Sequence, residues 1–300
     1  MIILKSIGGL GNQLFQLAFA IKVAKELNEE KIYVDTSSFK TYKIRSFKLD
    51  NFKINDSLIY LDENYLNKKV ILSQKIYRLY QKIVKTIKRH NKIGNSFYQF
   101  IAKKGFLYNF DIYFYETPFN QIKNNDIYIY GYFQSELYFK DVDSIIQKEF
   151  RVKTEPTINE KKLLKKMNSS TSVGISMRVG KDYETSKIFD VYNEEFYKKS
   201  MDYIAGKIGN VSFFVFSDDI EKVKKDFIFD YPVTYVEGFN EYESLRLLYS
   251  CDHFIISNSS FSWWGAYLGT NKDKLILTGE KWYINKKDKP DIYYKGMTKI

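Results

Sequence analysis

The chain has one cysteine, two histidines and four prolines in 300 residues. A lone Cys251 can form no internal disulfide and no cysteine zinc cluster. Two histidines, His90 and His253, exclude a His-rich metal site. His90 sits in a basic stretch and reads as solvated. His253, beside Cys251 and Asp252 and ahead of an apolar strand, reads as structural. No apolar run reaches the ~18 residues of a transmembrane helix. Residues 2–7 are too short for the apolar stretch of a secretory signal, so the cytoplasm is the expected compartment. Internal repeats and Gly/Ser linkers are also missing, and any domain boundary has to be a short connection.

What is present is a core and a charge. Hydrophobic residues make up 44% of the chain, enough for one large or two modest domains. The net charge of +11 calls for an acidic partner: nucleic acid, a membrane surface or an anionic substrate. Residues 74–89 place Ile76, Tyr80, Ile83 and Ile87 at helical spacing among Lys75, Arg78, Lys82, Lys85 and Lys88, a basic amphipathic helix. Either it packs on its own domain and leaves a solvated face, or it makes peripheral contact with an anionic membrane. The 26 tyrosines and 24 phenylalanines interleaved with lysine also resemble the stacking platforms of RNA-binding proteins. No RRM, KH or zinc-knuckle pattern accompanies them, and a nucleic-acid partner is not expected.

The opening is Met1-Ile-Ile-Leu-Lys-Ser-Ile7 followed by Gly8-Gly-Leu-Gly-Asn-Gln-Leu-Phe-Gln16. Strand 2–7, a glycine turn, helix 14–27 and strand 31–35 form a βαβ start and imply a parallel sheet. Gly8, Gly9 and Gly11 lack the third glycine of the dinucleotide fingerprint, which argues against NAD. The turn is either a plain βα turn or a loop that something approaches closely. Residues 36–125 read as irregular, aromatic and basic, with several helices. Strand 126–131 and helix 141–150 follow, and 151–157 read as a crossing between halves. From 171 to 277, short apolar strands alternate with helices, as in a doubly wound α/β domain. The expected division is 1–155 and 156–300.

Ligands of such sheets bind at the carboxyl ends of strands, and three strand ends here carry polar groups. One holds Arg178 and Asp182 around Gly180. The second ends in Phe216-Ser-Asp-Asp219. The third runs through Asn258, Ser259, Ser260, Phe261 and Ser262 into a helix. Hydroxyls, helix N–H groups and an arginine suit a diphosphate. Separately, Ser and Asp are ordinary N-caps and Trp263 and Trp264 ordinary core residues. Together they favour a nucleotide-diphosphate site. Asp141-Val-Asp143 reads as an N-cap rather than a metal-binding Asp-x-Asp.

The glycine segment, Gly131-Tyr-Phe-Gln134, the arginine strand end, Phe216-Ser-Asp-Asp219 and Asn258-Ser-Ser-Phe-Ser-Trp-Trp264 resemble, in this order, the α-1,2-fucosyltransferases of glycosyltransferase family eleven. The resemblance implies a GT-B-like α/β fold, two Rossmann-like domains facing a cleft. It also implies GDP-β-L-fucose as donor, inversion at the anomeric carbon, a galactose-terminated acceptor, free or lipid-linked, and no cofactor or metal. Arg178 would hold the pyrophosphate, Asp218 or Asp219 would face the guanine or ribose, and Ser259, Ser260, Phe261 and Ser262 would wrap the phosphates. Gly9, Gly11 and Asn12 would lie on the other side, with Asn12 orienting the acceptor. Asp182 would be the base, or would hold Arg178. Where the family reads His-x-Arg-Arg-Gly-Asp-Tyr, this chain has Ser176-Met-Arg-Val-Gly-Lys-Asp-Tyr183, closer to the related protein O-fucosyltransferases. A glycosyltransferase of the same fold using another sugar nucleotide is the alternative within enzymes. An RNA-binding protein is the alternative outside them.

Overall fold

The structure, a computed structural model, describes residues 1–41, 45–54, 57–61, 68–88, 92–181, 192–284 and 289–300. The chain forms two α/β units, Met1–Arg151 with Lys289–Tyr293, and Val152–Asp288 with Tyr294–Ile300. The division falls at 151/152, whereas the sequence suggests 155/156. The physical reason lies in where this connection bonds. The Arg151 carbonyl accepts from Lys53 N in the first unit, at 2.7 Å. Val152 N donates to the Tyr249 hydroxyl (3.3 Å), and Arg246 Nη2 donates to Thr154 Oγ1 (3.1 Å), both in the second.

In the first unit the elements are β1 (Ile2–Lys5), α1 (Leu10–Glu26), β2 (Ile32–Asp35), α2 (Ser38–Thr41), β3 (Leu58–Leu61) and α3 (Lys68–Lys88). They continue with α4 (Asn95–Ala102), β4 (Phe106–Asn109), β5 (Ile127–Gly131) and α5 (Asp143–Glu149). The sheet is parallel, in the order β3-β2-β1-β5-β4. Residues 36–125 are therefore not simply irregular: they contribute both edge strands. Each is a four-residue strand with no alternation to betray it (Leu-Ile-Tyr-Leu and Phe-Leu-Tyr-Asn) and is defined by pairing with β2 or β5. Helix α1 is buried almost all round, as an apolar helix between other layers must be. Strand β5 ends at Gly131, where a Cβ would lie 1.9 Å from the Asn109 carbonyl oxygen, so a side chain cannot fit.

Helix α3 corrects the expected packing of the basic helix. Its buried residues are Val70, Tyr77 and Val84, spaced by seven, while Ile76 and Ile83 face outward. Tyr77 stands edge-on to Tyr108, and Ser73 bonds the Tyr108 hydroxyl (2.9 Å), so the domain selects the face that meets β4. The side chains of Lys85, Ile87 and Lys88, and residues Arg89 and His90, lie outside those described.

The second unit holds α6 (Ile158–Met167), β6 (Thr171–Met177), α7 (Glu194–Ile208), β7 (Val211–Ser217), α8 (Ile220–Asp226) and β8 (Val233–Tyr235). Then come α9 (Glu241–Tyr249), β9 (His253–Ile256), α10 (Ser260–Leu268), β10 (Ile276–Thr278) and β11 (Met297–Lys299). Its parallel sheet runs β11-β10-β9-β6-β7-β8. Numbered from β6, that is 3-2-1-4-5-6, the doubly wound mononucleotide-binding order. Successive strand residues point to opposite faces. Phe213 and Val215 join Met201 and Ile204 on one side, and Phe214 and Phe216 join Leu247 and Leu248 on the other. His253 is buried, and its Nδ1 accepts from Leu275 N at 3.0 Å, tying β9 to the start of β10. Burial holds its imidazole pKa below the ordinary 6.5, against the opposing pull of Asp252. It is a structural residue, as the sequence suggests.

Candidate active site

The glycine turn is closed by amides. Gln16 bonds Ile7 through both N–H and carbonyl, each at 3.0 Å. Gln13 donates to the carbonyls of Gly8 (3.0 Å) and Ser46 (2.9 Å) and accepts from Lys48 N (2.9 Å). Both side chains are fully buried. Gly8 takes φ +80°, and a Cβ there would lie 2.7 Å from Asn12 Nδ2. Gly9 is the extended N-cap of α1, so the helix starts at Leu10 rather than at residue 14. That places Gly11, buried, and Asn12 in its first turn. Asn12 Oδ1 accepts from Gln134 Nε2 at 2.7 Å, joining the segment after β1 to the segment after β5. Those two strands are neighbours in the middle of the sheet, so both segments leave from adjacent carboxyl ends, the side on which such sheets bind ligands.

In the second unit the strand order reverses between β6 and β9, the ligand position in doubly wound sheets. Arg178 follows β6, and its guanidinium Nη1 sits 3.2 Å from Asp218 Oδ2. Asp218 follows β7, the neighbour of β6, and also accepts from the N–H groups of Val179 (3.0 Å) and Gly180 (3.1 Å). One carboxylate thus fixes both the arginine and the turn that carries it. On the other side, Ser257 N donates to the Ser176 carbonyl (2.9 Å), and α10 begins beyond Ser259. The intrahelical bonds of α10 begin with Trp263 N donating to the Ser259 carbonyl (2.9 Å). The N–H groups of residues 260–262 form the end of the helix, with no acidic residue in the first turn.

The structure brings Arg178, Asp218, Ser259, Ser260 and Phe261 to adjacent strand ends in one unit. It engages other expected ligand residues in local bonds. Asp219 is the N-cap of α8 and accepts from Lys222 N (3.0 Å). Asn258 donates to the Trp282 carbonyl (2.9 Å). Ser262 is buried, with its hydroxyl 2.7 Å from Ser176 and 3.0 Å from Ser257. Ser176 thereby stitches β6 to the first turn of α10. Asp182 lies outside the described residues. Asp141 Oδ2 accepts from Lys22 Nζ at 2.8 Å, and that ammonium holds the carboxyl below its ordinary value of 3.8. No group of three or more His, Cys, Asp or Glu that could hold a metal gathers among the described residues.

Sequence reasoning missed Gln13, Gln16, Gln134 and Ser176 as organisers of these turns. The available signal was the burial expected of amides and a serine lying inside apolar runs, where each polar atom must find a partner.

Comparison with known proteins bears on the family and the fold. The model of the family described as Glycosyl transferase family 11 matches residues 1–299. The alpha-1,2-colitosyltransferase of Escherichia coli is 27% identical over 293 residues, covering 94% of this chain and 92% of that protein. The O-antigen biosynthesis glycosyltransferase WbnK of Escherichia coli is 29% identical over 304 residues, covering 94% and 95%. Among solved structures, an Arabidopsis thaliana FUT1 variant in complex with GDP aligns with a TM-score of 0.50 at 15% identity, covering 94% of this chain and 71% of that one. That likeness bears on the fold alone, which is GT-B-like with two parallel-sheet domains. The sequence match decides between the enzyme and the RNA-binding reading. The chain belongs to glycosyl transferase family 11 and is a glycosyltransferase.

Proposed function

We propose that this enzyme transfers L-fucose from GDP-β-L-fucose, with inversion, to a galactoside hydroxyl in α-1,2 linkage, in the synthesis of a bacterial surface glycan or oligosaccharide. The observation that carries the reading is the Arg178–Asp218 pair at the β6/β9 reversal, one strand end from the α10 N-terminus. An inverting transfer with an oxocarbenium-like transition state develops negative charge on the departing diphosphate. Arg178 supplies a fixed, always-charged fork for that charge, and the N–H groups opening α10 supply a second set of donors. Asp218 keeps the fork aimed. Asn12, held by Gln134, orients the acceptor in the first unit, with Gly9 and Gly11 shaping the turn, and Asp182 is the candidate base. These groups provide the electrostatic stabilisation without a metal.

A second reading is transfer of another sugar, such as colitose. Two observations support it: one relative carries that activity in its name, and Ser176 and Val179 replace the family's histidine and second arginine.

We further place the enzyme at the cytoplasmic face of an anionic membrane. Leu72, Ile76, Leu79 and Ile83 form one stripe of α3 at 58, 53, 60 and 46% exposure, and Lys68, Lys69, Lys75 and Lys82 are exposed around them. The helix contains no acidic residue. An apolar stripe with a purely cationic border complements an anionic lipid surface. It disfavours pairing with a second, equally cationic copy. No helix among the described residues is long and apolar enough to cross a membrane.

A donor-hydrolysis screen over sugar nucleotides, with and without EDTA, tests the reading without needing the acceptor. Hydrolysis of GDP-fucose in EDTA is the expected result. Preference for another sugar nucleotide overturns the donor, and chelator inactivation reversed by Mn²⁺ or Mg²⁺ overturns the metal-free site.

A further inference from the structure

The first unit contains a pocket of about 370 Å³ lined by Thr36, Phe39, Lys40, Phe47, Asp50 and Tyr60. Its volume falls at the lower end of the ~300–1,000 Å³ usual for small-molecule sites. Thr36 follows β2 and Tyr60 lies on β3, and Thr36 N donates to the Leu61 carbonyl (3.0 Å). The pocket therefore lies at the carboxyl ends of β2 and the edge strand β3, at the same end of the sheet as the glycine turn that follows β1.

Its walls are chemically distinctive. Phe47 stands edge-to-face with Tyr60 (5.3 Å between centroids, 71°) and with Phe39 (5.8 Å, 61°). The rings hold one another in fixed orientations and are only partly buried, with Tyr60 44% exposed. Asp50 and Lys40 supply one carboxylate and one ammonium, both exposed, and Asn51 Nδ2 steadies the Asp50 carboxylate at 2.8 Å. Burial first, and the Asp50 charge second, push the Tyr60 hydroxyl pKa above its ordinary 10, so it remains a donor.

The segment carrying Phe47 is also mechanically tied to the glycine turn. Gln13 grips it on both sides, accepting from Lys48 N and donating to the Ser46 carbonyl, while donating to the Gly8 carbonyl as well. A buried amide thus sets the pocket wall and the catalytic turn in register.

We propose that this pocket is a subsite for a pyranose ring of the acceptor glycan, one that recognises neutral sugar rather than phosphate. The inference rests on the glycosyltransfer reading above. The apolar C–H face of a pyranose carries slight positive charge and lies well against the negative face of an aromatic ring. Its hydroxyls donate to a carboxylate and accept from an ammonium or a phenol. A carboxylate beside the rings disfavours an anionic occupant such as a nucleotide.

The test is titration of galactose-terminated oligosaccharides, followed by calorimetry and saturation-transfer NMR, on the full chain and on Phe47→Leu, Asp50→Asn and Tyr60→Ala. Circular dichroism first establishes that each variant folds, and Asp50→Asn, nearly isosteric, guards against a collapse at Phe47. The expected result is at least tenfold weaker glycan binding in each variant, with saturation transferred to the protons of the bound ring. Wild-type affinity in the folded variants, or no binding of any of the oligosaccharides by the wild type, overturns the subsite. GDP-fucose hydrolysis by the wild type is scored separately. Hydrolysis together with unaltered glycan binding in the variants removes the subsite and leaves the function standing. Absence of hydrolysis with every sugar nucleotide removes the function itself.

Discussion

Gln134 Nε2 donates to Asn12 Oδ1 at 2.7 Å, joining the segments that follow the adjacent strands β1 and β5 of the first unit. Asn12 is further confined because its Nδ2 packs against Gly8, where a Cβ would come within 2.7 Å. The amide of Asn12 therefore has one orientation, set by a residue 122 positions away in sequence. If that amide orients the acceptor, Gln134→Ala raises the acceptor KM and lowers kcat/KM about tenfold, the order expected for one partly buried hydrogen bond. The donor KM stays within about twofold. Steady-state kinetics on both substrates checks this, and an unchanged acceptor KM removes Asn12 from the acceptor site.

Arg178 and Asp218 divide their roles. Arg178→Ala is expected to cost about 2 kcal/mol or more of transition-state stabilisation, roughly thirtyfold in kcat/KM. Melting changes little, because Asp218 still accepts from Val179 and Gly180. Asp218→Ala removes one partner of the guanidinium and the acceptor of both N–H groups, so activity and melting temperature fall together. A thermal melt beside each rate measurement separates the two. An Arg178→Ala enzyme as active as the wild type sinks the proposed donor site.

The exposed stripe of α3 gives a binding prediction. Liposome flotation is expected to show association with anionic vesicles and little with neutral ones. Salt weakens it as the screening length contracts from roughly 10 Å at 0.1 M to 3 Å at 1 M. Replacing Leu72, Ile76 and Leu79 by serine, or reversing charge at Lys75 and Lys82, abolishes it with the fold intact. Binding that ignores vesicle charge, or survives both sets of changes, argues against this face.

His253 imposes an acid limit on stability. Its native pKa is depressed, so on falling below about 6.5 the unfolded chain takes up a proton that the native imidazole resists. Stability is therefore fully present above that value and declines as the pH drops through it. Asn at 253 can still accept from Leu275 N but does not titrate. Chemical denaturation from about pH 7.5 down to 5 is expected to fall more steeply for wild type than for His253→Asn, and parallel curves contradict this account.

Much of the second unit was legible because its central strands β7 and β9 carry short apolar runs, Phe213–Phe216 and Phe254–Ile256, that are buried. The alternation of strands and helices begins with β6 at Thr171, where the sequence places it. Helix α6 was legible and overlooked. Thr157 and Glu160 form a reciprocal capping box, with Thr157 N donating to Glu160 Oε2 at 2.8 Å. Arg178 was legible too as a cation at a strand end, since it follows β6 directly.

Three features were decided by tertiary structure. Strands β3 and β4 are too short to carry a pattern, and partners remote in sequence make them strands. The outward face of α3 could not be read from its spacing, because seven-residue steps of Val and Tyr and alternating four- and three-residue steps of Leu and Ile satisfy the same helix. Packing against Tyr108 chose between them. Polar residues that look alike in sequence parted in the same way. Asp218 turns toward Arg178 while Asp219 caps a helix, and Ser259 opens α10 while Ser262 is buried among hydroxyls. A sequence carries the supply of donors, acceptors and apolar surface, but which acceptor meets which donor depends on distances that exist only once the sheet has closed.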